Sequence, residues 1–138
     1  VGTTDTQTLT NKTLTNPTIS DESQLSFGGN GTQLWMDYIA ISNDDVEVID
    51  LPVNRGLLFV VSITGGGVSG MAQMWADYPY MNQTGTASEK ITWATGVYGG
   101  TTGVDGALTV SCDSGNLYME NRLGATRTFV VIVMGHNV

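Results

Sequence analysis

Cysteine and histidine each occur once in this chain, proline three times, and five basic side chains face thirteen acidic ones. A single cysteine, Cys112, excludes an intrachain disulfide and a thiolate zinc site within one chain. It reads as a small buried hydrophobe on a strand. A single histidine, His136, excludes a Ser-His-Asp set unless that set draws on the last few residues, and it reads as a surface side chain. The net charge of −8 leaves no basic patch to displace phosphate counterions, which excludes nucleic acid as a partner. It also excludes adsorption to anionic lipid through a basic face. No apolar run reaches the ~18 residues of a membrane span, and no signal peptide is visible. No Gly-Lys-Ser or Gly-Lys-Thr is present, so there is no phosphate-binding loop of that type.

What the chain has in quantity is glycine, 18 of 138 residues, together with threonine and aliphatics. The length suits one compact domain and a short appendage. Glycine and threonine with little proline suit a β-rich protein with many tight turns. Strands are expected at Gln33–Ser42, Val46–Leu51, Gly56–Thr64, Val68–Asp77, Lys90–Ala94, Ala107–Cys112, Asn116–Asn121 and Thr126–Met134. The run Leu57–Val61 implies burial on both faces, in a sandwich core or against another subunit. Thr126–Met134 carries aliphatics on both faces and is expected to be central. Asp77–Ser88 and Thr95–Gly106 read as loops, and Ser20–Thr32, which contains Phe27-Gly28-Gly29-Asn30-Gly31, as a polar neck or turn. About eight strands at short spacing are the pattern of an all-β sandwich.

Several motifs suggest chemistry and then fail a second requirement. Gly65-Gly66-Gly67-Val68-Ser69-Gly70 follows a strand and matches G-x-G-x-x-G, with Glu89 downstream. A dinucleotide site needs a helix opening on those glycines; only Met71–Tyr78 intervenes before Pro79, so the stretch reads as a glycine-rich turn. Asn43, Asp44, Asp45, Glu47 and Asp50 offer hard oxygen ligands, but their spacing fits no calcium loop and they read as a solvated acidic turn. No carboxylate pair stands out for glycoside hydrolysis, and the sequon Asn82-Gln83-Thr84 is discounted. No enzymatic activity, cofactor or metal is expected.

Met74–Met81 is the best candidate for recognition. Aromatic faces stack on sugar rings, and Asp77, Asn82 and Gln83 can hydrogen-bond hydroxyls from a loop on a rigid scaffold. Trp75 also fits the core or a subunit interface, where Trp and Met are enriched; Tyr78 and Tyr80, flanking Pro79, are expected to be exposed. The glycine-rich stretch at Tyr98 is a second candidate. The candidate ligand-binding set is therefore Trp75, Asp77, Tyr78, Tyr80, Asn82, Gln83 and Tyr98.

At the start of the chain, Thr8–Ile19 reads TLTNKTLTNPTI, a five-residue unit written twice and begun again. Leu9, Leu14 and Ile19 recur every fifth residue, a spacing that fits neither a helix nor a plain strand. One large apolar side chain per unit makes no core alone. Two readings follow: an extended segment wound with sister chains around a shared axis, or a disordered polar linker. TQTLTNKTLTNPTI resembles the repeat of bacteriophage tail fibres. The stretch LYMENRLGATRTFVVIVMG, Leu117–Gly135, resembles the closing hairpin of fibre heads with a complement-head or tumour-necrosis-factor-like jelly roll. There an N-R-x-G-x-x-R-T-F turn joins the last two strands, matched here at Asn121, Arg122, Gly124, Arg127, Thr128 and Phe129.

The resemblance implies a homotrimer, with Leu9, Leu14 and Ile19 at its axis, and a chain that is the distal piece of a longer fibre, in keeping with Val1 as first residue. The expected architecture is an all-β protein. Residues 1–32 form an extended shaft and neck, and 33–138 a jelly-roll-like antiparallel β-sandwich head. The expected function is attachment of a virion to the host bacterial surface through glycan or surface-protein recognition, with other fibre or tail proteins as further partners and no membrane insertion. The alternative is a structural virion appendage, such as a head fibre, without receptor binding.

Overall fold

The computed structural model describes residues 32–94 and 103–136, and the backbone of one further strand at Leu25–Phe27. The TLTN repeat, with Leu9, Leu14 and Ile19, lies outside the described residues, as does Tyr98.

Ten strands and no helix are formed among the described residues: β1 (Leu25–Phe27), β2 (Thr32–Ile41), β3 (Asp45–Asp50), β4 (Arg55–Ser62), β5 (Ser69–Trp75), β6 (Tyr80–Gln83), β7 (Ile91–Trp93), β8 (Leu108–Asp113), β9 (Asn116–Asn121) and β10 (Arg127–His136). They make two sheets. One has six strands in the order β1-β2-β10-β4-β5-β6, the other four in the order β3-β9-β8-β7. All pairings are antiparallel except β7 with β8. The sheets share one apolar core, in which Leu58, Val60, Ala72, Met74, Phe129, Val131 and Val133 of the larger sheet meet Leu108, Val110, Cys112, Leu117 and Met119 of the smaller. The all-β sandwich expected from the strand spacing is what forms.

Two segments differ from expectation. β1 pairs with the start of β2 through Leu25↔Leu34 to Phe27↔Thr32, so the polar neck contributes a strand to the larger sheet. β6 forms inside the expected loop 77–88 and folds back on β5, with Trp75 opposite Tyr80 and Gln73 opposite Asn82. Met81 and Met74, one from each strand, both turn into the core, which gives this polar-looking hairpin its anchor.

The glycine turn behaves as its residues require. Gly65, Gly66 and Gly67 have φ of 94°, 91° and 65°, and a strand follows them, not a helix. The dinucleotide fingerprint is therefore structural coincidence.

β9 and β10 are not a hairpin, contrary to the resemblance. They belong to different sheets, and residues 122–126 carry the chain across the sandwich. The N-R-x-G-x-x-R-T-F residues brace that corner. Buried Asn121 donates through Nδ2 to the carbonyls of Ile41 (2.8 Å) and Ala125 (2.9 Å), and accepts the Leu123 N–H at 3.1 Å. The Gly124 N–H reaches Asn43 Oδ1 at 2.6 Å. Arg127 donates to the Thr64 carbonyl at 2.9 Å, the Thr128 N–H to Thr64 Oγ1 at 2.7 Å, and Phe129 is wholly buried.

Candidate functional site

The alternation of a strand sends every second side chain to the far side of its sheet. In β10, Phe129, Val131 and Val133 enter the core, so Val130, Ile132 and Met134 face away from it. The same holds for Leu57, Phe59 and Val61 of β4 and for Leu34, Met36 and Tyr38 of β2. The register stacks them into rows across the sheet: Tyr38–Val130–Val61–Ser69, then Met36–Ile132–Phe59–Met71, then Leu34–Met134–Leu57–Gln73–Asn82. These three rows hold ten apolar side chains, counting Tyr38, and no charged one. Tyr38 is 62% exposed and Met134 47%. At ordinary strand and side-chain spacings the apolar footprint is roughly 400 Å², within the ~300–600 Å² of the largest apolar patch on an ordinary monomer, which is often functional.

A fourth row ends the face: His136–Arg55–Trp75–Tyr80. Arg55 on β4 and Tyr80 on β6 flank Trp75 on β5. The guanidinium lies 5.4 Å from the indole centroid, and the Tyr80 ring centroid is 5.1 Å away at 37°. Arg55 also pairs with Asp77 at 2.9 Å. The hydrogen bond from Arg55 holds the Asp77 carboxyl below its ordinary pKa, against a small opposing effect of burial, and the same bond raises Arg55. Trp75 is 39% exposed and Tyr78, in the β5–β6 turn, 66%.

Of the expected ligand-binding residues, the structure thus brings Trp75, Asp77 and Tyr80 together, with Tyr78 in the adjoining turn and Asn82 one row away. Gln83 stands opposite the core residue Ala72, not opposite an outer-face one, and donates to the Gly85 carbonyl at 3.0 Å. Trp75 does not pack in the core. Arg55 was missed because only the register of β4 against β5 places it beside Trp75; nothing in its own sequence context signals it. The outer face did have a signal, the continuous aliphatic runs in β4 and β10.

Asn43, Asp44, Asp45, Glu47 and Asp50 are exposed in and around the β2–β3 turn, and no group of three or more His, Cys, Asp or Glu among the described residues is placed to hold a metal. His136 is exposed at the end of β10. Cys112 is fully buried beside the carbonyls of Tyr80 (3.3 Å) and Trp75 (3.5 Å), and burial pushes its thiol pKa up to about 11. No helix among the described residues is long and apolar enough to cross a membrane. Comparison with protein-family models, curated proteins and solved structures gives no match for this chain.

Proposed function

We propose that this chain is the head of a homotrimeric bacteriophage fibre, a sandwich of the jelly-roll kind, that docks the virion on a bacterial surface through its exposed aromatic loop. The observation that carries the reading is the charge-free apolar face of the six-stranded sheet. A face of ten apolar side chains in contact with water is costly, and a matching face on a sister chain removes that cost. The described acidic side chains lie off these three rows: Asp37 on β2 alternates with Met36 and Tyr38, Asp45, Glu47 and Asp50 are on β3, Asp113 on β8, Glu120 on β9, and Asp44, Asp77, Glu89 and Asp105 in connections. Copies of a chain with net charge −8 can therefore meet on this face without opposing charges.

The three-fold order and the fibre context come from the TLTN repeat. Recognition by the Tyr78 turn would then be multivalent, several weak sites acting as one strong one. Light scattering tests the assembly, with an expected mass three times 14.6 kDa. Binding to a glycan array and to a panel of bacterial strains tests the attachment, and Tyr78→Ala should weaken it without changing the mass. A trimer that binds neither glycans nor cells would leave the structural-appendage role in its place.

A further inference from the structure

The recognition residues and the apolar face lie on the same side of the same sheet. The Arg55–Trp75–Tyr80 row is one register step, about 7 Å, beyond the row of Met134 and Leu57. A sister chain seated on the apolar rows therefore ends next to Trp75. Within its own chain the Trp75 ring is flanked by Arg55 on one side and Tyr80 on the other. An isolated copy presents this row on an open strand surface, because the second sheet packs on the opposite face. Small-molecule sites are as a rule concave, and a second wall would make this row one side of a cleft.

We infer that the site is shared between copies: one contributes the Arg55–Trp75–Tyr80 row and the Tyr78 turn, and the copy on its apolar face supplies the facing wall. Arg55 is already engaged by Asp77 and by the indole, so Trp75, Tyr80 and Tyr78 present aromatic and hydroxyl groups there and Arg55 is not a free cation. That suits an uncharged saccharide. This inference rests on the self-association proposed above and adds that recognition is built at the seam. Assembly and binding are then one event, and a lone chain is a poor binder for a reason separate from lost avidity.

The test follows Trp75 itself. Acrylamide quenching is measured on the wild type and on Trp75→Phe; the difference isolates Trp75 from Trp35 and Trp93. Both are then measured with Met134→Glu added, which puts a charge in the apolar row nearest the Trp75 row, at a position a single copy leaves 47% exposed. With the neighbour gone, the quenching constant of the Trp75 component should rise by roughly twofold, as for a residue at an interface rim. Should Met134→Glu fail to fold by circular dichroism, wild type diluted until its mass falls to one chain serves instead. Unchanged quenching across a real change in mass overturns the shared site and leaves self-association standing. A mass of one chain at every concentration overturns both.

Discussion

The carboxylate of Glu120 accepts the backbone N–H of Gly103 at 2.7 Å. Just past the end of that strand, Arg122 donates to the carbonyl of that same glycine at 2.6 Å. Both polar groups of Gly103 are thus held by the last residues of β9 and the residue after them, and this pins the return of the chain into β8. Glu120 is fully buried although it faces away from the core, so its acceptor matters. Glu120→Ala leaves a buried N–H unpaired and should cost about 1–3 kcal/mol. Gly103→Ala places a Cβ 2.5 Å from Glu120 Oε2 and 2.9 Å from Thr109 Cβ, and should cost a similar ~1–3 kcal/mol by overpacking. Glu120→Ala also removes one of the atoms that a Cβ at position 103 would strike, so in urea melts the double variant should lose clearly less than the sum. Strict additivity would show that the new Cβ does not press on Glu120.

Gly56 and Gly135 lie opposite each other on β4 and β10, the two central strands. A Cβ on Gly56 would meet the Met134 carbonyl oxygen and stand 2.6 Å from Gly135 Cα; one on Gly135 would meet the Arg55 carbonyl oxygen and stand 3.0 Å from Gly56 Cα. The obstacles are backbone atoms, so no rotamer change relieves them and the strands must part. Alanine at either site should lower stability by at least ~2 kcal/mol, read as a shifted denaturation midpoint. A neutral alanine at both would mean that the strands are not this close.

Those glycines also show what was legible in the sequence. Eight of the strands were visible as alternating or continuous aliphatic runs with glycine between them. β6 was hidden, because Tyr80-Met81-Asn82-Gln83 has one core side chain and is flanked by proline and glycine. The burial of Glu120 was hidden too: a glutamate opposite Leu117 and Met119 on an alternating strand reads as solvent-facing. The hairpin after Asn121 is what the resemblance to fibre heads implies; residues 122–125 by themselves indicate only a turn, and the chain crosses between the sheets there. The decision between pairing and crossing rests on Ile41 and Ala125 carbonyls far apart in sequence. Trp75, Asp77 and Tyr80 were legible as a cluster; Arg55, 20 residues before Trp75, joins them only through strand register.

The Cys112 thiol should be inert in the native protein. Burial first, and to a small extent the Asp113 and Asp77 charges, raise its pKa from 9.0 to about 11. At pH 8, Ellman's reagent should react with it only after urea is added. The linkage sign follows from the direction of the shift. A raised pKa means that the native state keeps a proton the unfolded chain releases above pH 9. Stability that is complete below pH 9 should therefore fall as pH rises towards 11, by roughly 2–3 kcal/mol over the window. Cys112→Ala should remove that part of the alkaline loss. Prompt labelling of the native thiol would contradict its burial.

The Arg55–Asp77 pair is at the surface, so its effect should appear in titration more than in stability. Followed by carboxyl carbon shifts, Asp77 should titrate below the ordinary aspartate range. In Arg55→Ala it should return towards that range, since the hydrogen bond from Arg55 is the largest cause of its depression. The same variant should change Trp75 fluorescence, because the guanidinium over the indole leaves with it. An Asp77 titration unaffected by Arg55→Ala would dissolve the pair.

Asn121 offers the sharpest substitution. Its Nδ2 group donates towards the carbonyls of Ile41, Ala125 and, at 3.2 Å, Ser42, while its Oδ1 accepts the Leu123 N–H. Aspartate has the same shape but cannot donate from that position when ionised, and it would set an oxygen against three carbonyl oxygens. Alanine leaves those carbonyls unpaired but adds no repulsion. Asn121→Asp should therefore be at least as destabilising as Asn121→Ala at neutral pH, each costing about 2–4 kcal/mol. Acidification should narrow the difference between them, because a protonated aspartate regains one donor. Shape alone predicts the reverse order, with aspartate tolerated and alanine not. Thermal melts of the two variants at neutral and acidic pH decide whether the corner is held by donors or by volume.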